Sequence, residues 1–117
     1  ITDRKKDIIV LSGGENVSPA RIEGMLVAQP EIVQAVVVGD GRAGLSALVV
    51  PADGCDELAV AVGISRVNMQ LSVTERLRRH AVVTPFTVEN GLMTPSQKVR
   101  RLAVVRAHTD VVERLHG

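Results

Sequence analysis

The sequence predicts a small mixed α+β domain. Two valine-rich runs, 32–39 and 45–50, are joined by a short connection with two glycines, which is typical of paired strands. Two longer segments, 19–29 and 56–71, space their apolar residues as amphipathic helices do. The chain has 117 residues, 45% of them apolar, enough for one modest core. We therefore expect a single domain of short strands and helices.

The first predicted strand covers residues 7–11, where an unbroken apolar run follows a charged start and indicates a buried strand. The double glycine at 13–14 predicts a tight turn with positive φ. Ser18 followed by a proline is typical of a helix N-cap and first helical position. The helix then runs over 19–29 and stops before Pro30.

The middle of the chain predicts a strand over 32–39, a hairpin-length connection over 40–44 and a returning strand over 45–50. Residues 51–54 contain a proline and a glycine and predict an interruption of the regular secondary structure. A helix follows over about 56–71, weakened by an internal glycine.

The C-terminal third has a weaker pattern. Residues 72–84 fit either helix or strand, and the spacing of the apolar residues slightly favours helix, although the segment ends in two valines that look extended. Residues 84–95 contain two prolines and a glycine and predict a polar loop. Residues 102–115 close the chain, with a terminal helix from about Thr109.

Composition excludes several classes of function. Phe86 is the only Phe, Tyr or Trp, which argues against a base-stacking nucleic-acid platform. The net charge of +1 gives no strong attraction to nucleic acid or anionic lipid. No apolar run approaches the roughly 18 residues of a membrane span, and the single Cys55 fits a reducing compartment. We expect a soluble, cytoplasmic protein without a nucleic-acid partner or a membrane span.

Two polar segments are candidates for chemistry. Arg4 leads a basic cluster before the first strand, and its fork of donors suits ribose hydroxyls, carboxylates or phosphates. The glycines at 13–14 offer backbone N–H groups near a helix start, where an anion can bind. Lys98 lies on a proline-containing loop flanked by hydroxyl residues and can deliver a point charge to a reacting group. Taken singly, each is more simply a solvated charge or an ordinary turn.

Together, the two segments resemble the C-terminal domain of the adenylate-forming enzymes, the acyl-CoA synthetases with their luciferase and peptide-synthetase relatives. The first resembles the hinge motif and the loop after it, and the second resembles the closing lysine motif in its long-chain fatty acyl-CoA synthetase form, with Ser-Gln-Lys where many relatives have Ser-Gly-Lys. The resemblance covers essentially the whole chain. It rests on Thr2-Asp3-Arg4-Lys5-Lys6-Asp7-Ile8-Ile9, Ser12-Gly13-Gly14-Glu15-Asn16-Val17-Ser18-Pro19, Ile22-Glu23, Val38-Gly39-Asp40-Gly41-Arg42, Leu45-Ser46-Ala47-Leu48-Val49-Val50 and Val88-Glu89-Asn90-Gly91-Leu92-Met93-Thr94-Pro95-Ser96-Gln97-Lys98.

The resemblance implies a more definite fold: a short N-terminal two-stranded hairpin and a roughly three-stranded sheet flanked by helices. It implies that residues 75–83 form a strand rather than a helix. It also implies that residues 1–117 are the mobile C-terminal domain of an acyl-CoA synthetase, cut from a longer chain whose large N-terminal domain binds ATP and the acyl group. We expect the 117 residues alone to be inactive as a ligase.

The implied full enzyme uses ATP, Mg²⁺ and CoA to convert a fatty acid into acyl-adenylate and then into acyl-CoA, with a rotation of the small domain between the two steps. Lys98 would be the catalytic lysine of adenylation, Arg4 the ribose contact and Lys6 the hinge. Ser12, Gly13, Gly14 and Glu15 would line the tunnel for the pantetheine arm of CoA. Glu15 replaces a basic residue of some relatives, so we do not expect it to bind phosphate.

Several alternatives remain open at the level of sequence. A fatty acyl-AMP ligase would pass the acyl group to a carrier protein instead of CoA, and a free-standing binding module would perform no chemistry. The basic stretch Arg76, Arg78 and Arg79 is either the solvated face of a strand or a contact for the 3′-phosphate of CoA. No metal site is expected, because the histidines and the cysteine have no ligand-like spacing: His80, His108, His116 and Cys55.

Overall fold

The computed structural model describes residues 8–96 and 98–116, with the backbone alone at residue 116. In these residues a mixed three-stranded sheet lies between two helical layers, and a small two-stranded hairpin precedes it. The predicted α+β architecture is therefore confirmed. The elements are β1 (Ile9–Val10), β2 (Asn16–Val17), α1 (Pro19–Val27), β3 (Ile32–Val38), β4 (Leu45–Pro51), α2 (Glu57–Asn68), β5 (Leu77–Val82), α3 (Arg101–Ala107) and α4 (Thr109–His116).

The first hairpin pairs β1 with β2 in antiparallel register, Ile9 opposite Val17. The prediction of a buried strand over 7–11 is wrong in two respects. The described strand has only two residues, and its side chains alternate, with Ile9 buried while Val10 is 46% exposed. One face of the hairpin therefore lies on the core and the other faces solvent. Asp7 lies outside the described residues.

The main sheet has the order β3-β4-β5, with β3 antiparallel and β5 parallel to the central β4. Residues 45–50 of β4 are all buried, as expected for a strand covered on both faces. Alternate residues of β3 and β4 belong to two separate apolar clusters, one on each face of the sheet.

The first cluster, called here the α1/α2 core, joins one face of the sheet to α1, α2 and the β1–β2 hairpin. The second, called the α3/α4 core, joins the opposite face to α3, α4 and the loop after β5. The α1/α2 core includes Ile9, Leu11, Val17, Ile22, Leu26, Ala35, Val37, Leu45, Ala47, Val49, Val60, Ile64 and Val67, and the α3/α4 core includes Val36, Val38, Leu48, Val50, Phe86, Leu92, Val104 and Val112.

The helices α1 and α2 begin close to the predicted residues and end two to three residues earlier than predicted. Pro19 is the first residue of α1, as expected from its fixed φ, although Ser18 makes no side-chain capping bond. Asp56 caps α2 because its carboxylate accepts a hydrogen bond from the backbone N–H of Ala59, at 2.9 Å.

The helical interpretation of residues 72–84 is wrong, and the strand implied by the resemblance is confirmed as β5. Side-chain spacing fitted a helix, but the backbone of this segment forms a ladder with β4. The side chain of Asn68, at the end of α2, also holds the start of the strand: it accepts from Leu77 N at 2.8 Å and donates to Leu77 O at 3.0 Å. Tertiary pairing overrides a weak local pattern here.

The helix α3 was not predicted, whereas α4 begins at Thr109 as expected. Residues 101–107 have no side-chain cap at their start, so the usual sequence signal is missing. Packing stabilises the helix instead, since Val104 is fully buried in the α3/α4 core. Within the described part of the chain, no helix is both long and apolar enough to cross a membrane.

An ion pair at the free edge of β3 connects the two helical layers. Arg101 of α3 and Glu23 of α1 form a two-pronged pair, with Nη2 and Oε1 2.7 Å apart. Glu23 also accepts from Val37 N at 2.7 Å, and Arg101 donates to Val37 O at 3.3 Å. The pair therefore satisfies backbone groups at a sheet edge that would otherwise invite further pairing.

A second ion pair makes the stability of the fold depend on pH. Arg21 of α1 donates to the carboxylate of Glu75, and this hydrogen bond holds the Glu75 pKa below its ordinary value; partial burial opposes the shift and the Ser72 hydroxyl reinforces it. A depressed folded-state pKa contributes stability that is complete above the ordinary carboxyl range and is lost as pH falls through the folded pKa.

We predict that Glu75→Gln lowers the free energy of unfolding at pH 7 and has a smaller effect at about pH 3, because protonation of the carboxyl at acid pH weakens its ion pair with Arg21. Urea unfolding at the two pH values measures the difference. Glu57→Gln, at an exposed position in the first turn of α2, is the matched control. An equal loss at both pH values would contradict the role given to the Arg21–Glu75 pair.

Candidate functional site: two loops on opposite faces of the sheet

Residues 12–15, called here the glycine loop, connect β1 to β2 and are all exposed. Two backbone hydrogen bonds close the loop: Gly14 N donates to Leu11 O at 2.8 Å, and Leu11 N donates to Glu15 O at 2.9 Å. Gly14 has φ +91°, a value that favours glycine, so the predicted positive φ is confirmed at this one position.

Gly13 is small for a different reason. Its backbone lies outside the left-handed region, but a Cβ atom there would lie 2.7 Å from Oε1 of Glu15. The Glu15 carboxylate therefore lies against the glycine loop. Negative charge at this position is consistent with the expectation that Glu15 does not bind phosphate.

The glycine loop is fixed to the turn between β3 and β4. Ser12 N donates to Arg42 O at 2.8 Å, and Gly41 N donates to Val10 O at 2.8 Å. The side chain of Asp40 accepts from Val10 N at 3.1 Å. These bonds attach the two-stranded hairpin to the main sheet and hold the base of the loop in place.

Lys98 lies in a second loop, called here the lysine loop, of which the structure describes residues 94–96 and 98; Pro95, Ser96 and Lys98 are exposed. Thr94 holds its two ends together: Thr94 N donates to Lys98 O at 2.8 Å, and Lys98 N donates to Thr94 Oγ1 at 3.1 Å. An antiparallel bridge between Met93 and Val99 closes the base. The exposed Lys98 side chain thus extends from a short, pinned hairpin.

Asn90 organises the segment that leads into the lysine loop. Its side-chain oxygen accepts from Thr87 N at 3.0 Å and from Leu92 N at 3.1 Å, and its amide donates to Pro85 O at 3.0 Å. Gly91 follows with φ +80°, and Arg100 donates to the Gly91 carbonyl at 2.9 Å. The segment predicted as an irregular loop is therefore extensively hydrogen-bonded.

Gln34 of β3 attaches this segment to the sheet. Its side-chain amide accepts from Phe86 N at 2.9 Å and donates to Phe86 O at 3.1 Å, as a neighbouring strand would. Sequence reasoning missed this residue. The available signal was a single glutamine inside a valine-rich strand, because a polar side chain in such a position needs a partner.

The two loops are anchored on opposite faces of the sheet. The hairpin that carries the glycine loop contributes Ile9, Leu11 and Val17 to the α1/α2 core. The segment before the lysine loop contributes Phe86 and Leu92 to the α3/α4 core. The described site residues therefore lie in two loops that are anchored in different cores, and Arg4 and Lys6 lie outside the described residues.

Among the described residues, no group of three His, Cys, Asp or Glu side chains is placed to hold a metal ion. His108 instead contacts the Val104 carbonyl through Nδ1 at 2.8 Å and meets the Phe86 ring edge-on, with the centroids 6.4 Å apart. Its surroundings are those of a packed helix-end side chain.

The fold, with one loop carrying two glycines and another carrying a lysine, corresponds to a known class. Residues 6–117 match the family described as the AMP-binding enzyme C-terminal domain. The chain belongs to that family.

Its relatives include fatty acid ligases. It is 37% identical to probable acyl-activating enzyme 16, chloroplastic, from Arabidopsis thaliana, over 97% of this chain and 19% of the relative. It is 35% identical to the long-chain-fatty-acid–[acyl-carrier-protein] ligase AEE15, chloroplastic, of the same plant, over 97% of this chain and 17% of the relative. It is 32% identical to the long-chain-fatty-acid–CoA ligase FadD15 of Mycobacterium tuberculosis, over the whole chain and 24% of the relative.

The chain therefore spans about a fifth of the length of these relatives. Two of them are chloroplastic by name, so the cytoplasmic location stays a prediction. Among solved structures, the adenylation domain of the carboxylic acid reductase from Segniliparus rugosus, in complex with AMP and a co-purified carboxylic acid, matches 96% of this chain with a TM-score of 0.84 and 29% identity, over 20% of that structure. Apo MatB from Rhodopseudomonas palustris matches 92% with a TM-score of 0.68 and 26% identity, over 21% of that structure.

We predict that Gln34→Ala destabilises the chain by about 1–3 kcal/mol, because it leaves both backbone groups of Phe86 without their partner. Urea unfolding measures the loss. Relative to the wild type, the variant should show a larger increase in amide hydrogen exchange over residues 86–93 than over α2.

Val33→Ala is the control on the same strand, since Val33 is 56% exposed, and we expect a change within about 0.5 kcal/mol. A Gln34→Ala protein as stable as the wild type would show that the amide does not hold the segment to the sheet.

Proposed function

We propose that residues 1–117 are the mobile C-terminal domain of a long-chain fatty acid–CoA ligase. The observation that carries this proposal is that the glycine loop and the lysine loop are anchored in two different cores, one on each face of the sheet, and that each loop has a hydrogen-bonded base. We infer that a domain built in this way presents one of the two loops to the substrate at a time. Its relatives include a fatty acid–CoA ligase and a fatty acid–carrier-protein ligase.

In the first half-reaction, a fatty acid carboxylate oxygen attacks the α-phosphorus of ATP and pyrophosphate leaves. Both reactants are anionic, so a cation at the point of attack lowers the barrier. Lys98 supplies that cation from the end of the lysine loop. Arg4, with its fork of donors, holds the ribose of the nucleotide.

In the second half-reaction, the domain rotates about Lys6, whose backbone torsions absorb the change. The glycine loop then faces the acyl-adenylate. The CoA sulfur attacks the acyl carbon, a thioester forms and AMP leaves. Gly13 and Gly14 matter here because a loop without side chains leaves room for the thin pantetheine arm, while Ser12 and Glu15 form the ends of the loop.

Mg²⁺ is expected to accompany ATP by neutralising its phosphate charge. Its ligands would be the ATP phosphates, water and residues of the large domain. The ATP and acyl sites also belong to that domain. For this reason, the 117 residues alone would form no acyl-CoA.

The acyl acceptor separates CoA ligases from carrier-protein ligases, and both occur among the relatives. We assign CoA to this enzyme. Supplying the intact enzyme with fatty acid, ATP and either CoA or a carrier protein with its phosphopantetheine arm distinguishes the two by product. Acyl transfer to the carrier protein alone would favour the second class, and no acyl-adenylate in either case would favour a binding module.

We predict that Lys98→Ala in the intact enzyme slows acyl-adenylate formation by about 100- to 1,000-fold, because it removes a charge aimed at the reacting phosphate. Thioester formation from supplied acyl-adenylate should change far less. Single-turnover measurement of each half-reaction gives the two rates.

Arg106→Ala is the control for loss of one exposed cation, since Arg106 lies on α3 outside both loops. Equal losses in the two half-reactions of Lys98→Ala would remove the role assigned to this lysine.

We predict the reverse pattern for Gly13→Leu. The backbone at this position accepts a side chain and only the flexible Glu15 carboxylate must move, so the variant should fold. The leucine would obstruct the pantetheine arm, and thioester formation should fall by about 10- to 100-fold while adenylation is retained. Separate single-turnover assays of the two steps measure the effect.

Gly24→Ala is the matched control, because a Cβ atom at this exposed helical glycine would meet nothing within 4 Å. Unimpaired thioester formation by Gly13→Leu would exclude the glycine loop from the path of the thiol.

A further inference from the structure

A cavity of about 240 Å³ lies beside the β3–β4 turn and has no role in the mechanism described above. Three arginines line it, Arg42 from the turn and Arg78 and Arg79 from β5. The third arginine of the basic stretch, Arg76, is not part of it, since Arg76 donates instead toward Leu71 O at 3.4 Å. Arg78 and Arg79 thus line the cavity, whereas Arg76, which belongs to the same basic stretch of the sequence, does not.

An irregularity in the sheet brings the two neighbouring arginines to the same cavity. Consecutive strand residues normally point to opposite faces. Here the pairing of β4 with β5 passes from Leu45–Leu77 directly to Ser46–Arg79, so Arg78 is an extra residue without its own partner. Such a bulge re-aims a side chain. The guanidinium groups of Arg78 and Arg79 can therefore act together on one ligand.

Gly44 provides the space for this arrangement. A Cβ atom on Gly44 would lie 2.3 Å from Nε and 2.6 Å from Cδ of Arg78. The Arg78 side chain therefore passes directly over the Gly44 backbone, at a distance that only glycine allows. The close approach fixes Arg78 at the wall of the cavity.

The cavity is strongly cationic. No carboxylate belongs to its lining residues. Arg42 is paired with Glu113 at 2.8 Å, but the Glu113 side chain is 61% exposed, so this surface pair is weak and can yield to a stronger anion. Ser46, a buried polar residue, also lines the cavity, and its hydroxyl is a further donor for an anion.

The charge of the cavity suits a phosphate monoester. Such a group carries about 1.5 to 2 negative charges near neutral pH and presents three acceptor oxygens. Guanidinium groups bind these oxygens through paired N–H donors. A phosphodiester carries a single charge and has only two free oxygens, so it would gain less from three arginines.

The cavity is directly connected to the glycine loop. The backbone of Arg42 accepts the hydrogen bond from Ser12 N at 2.8 Å, while its side chain lines the cavity. A phosphate bound by the arginines would therefore lie close to the loop assigned to the pantetheine arm.

We propose that Arg42, Arg78 and Arg79 form a binding site for a phosphate monoester, the 3′-phosphate of CoA. The identity of the ligand rests on the proposed function. The pantetheine arm of a carrier protein is attached through a phosphodiester, so the site would also favour free CoA over a carrier protein as the acyl acceptor.

The test uses the intact ligase and two thiols, CoA and 3′-dephospho-CoA, which differ only in the monoester. We expect wild-type enzyme to prefer CoA, and the double variant Arg78→Ala/Arg79→Ala to raise the KM for CoA by about 10- to 100-fold with little change for dephospho-CoA. Arg76→Ala is the matched control and should keep the preference. Melting temperatures show whether each variant is folded.

Gly44→Ala provides a second route to the same result, because it displaces Arg78 without removing a charge, and it should also reduce the preference for CoA. Equal kcat/KM of wild-type enzyme for the two thiols, or an equal loss on both thiols in the double variant, would overturn the 3′-phosphate site and leave the ligase function intact. A wild-type enzyme that acylates only a carrier protein would overturn the proposed function itself.

Discussion

The burial of β4 on both faces is the constraint on which the rest of this domain depends. Residues 45–50 are all excluded from water, so both faces of the sheet must be covered. α1 and α2 cover one face, and α3 and α4 cover the other. The chain therefore needs two cores, and each core anchors one exposed loop. The glycine loop and the lysine loop are therefore anchored in different cores because β4 is covered on both faces.

Direct side-chain contacts also connect the two helical layers of the domain. The Glu23–Arg101 pair connects α1 with α3 around the free edge of β3 and occupies the N–H and carbonyl of Val37. At the same time, the hairpin before α1 is attached to the β3–β4 turn by backbone bonds. The proposed rotation would need this rigidity, because a loop that shifted by about 1 Å would lose much of its effect on rate.

The sequence predicted those parts of the fold that have strong local signals. Prolines, glycines and valine runs located α1, β3, β4 and α2 to within a few residues. The motifs indicated the family, which residues 6–117 then matched. The local pattern failed for elements that depend on distant partners. Residues 77–82 are a strand because β4 lies beside them, which only the resemblance indicated, and α3 is a helix because Val104 is buried.

Sequence motifs located the two loops of the candidate site. The contacts that hold these loops in place are long-range, and the motifs did not predict them. Gln34 and Phe86 are 52 residues apart, and no local pattern connects them. The arginine cavity likewise depends on a bulge in β5 and on the absence of a side chain at Gly44, neither of which follows from the positions of the basic residues in the sequence. Such features require the register of the sheet.

The central claim, that this domain alternates between two orientations, can be tested by a distance measurement in the intact enzyme. A spin label at Leu58→Cys, 75% exposed on α2, in a Cys55→Ser background, would be paired with a second label on the large domain. Pulsed electron paramagnetic resonance should give one distance distribution with a non-hydrolysable ATP analogue and a clearly different one with AMP and CoA. The same distribution under both conditions would contradict domain alternation.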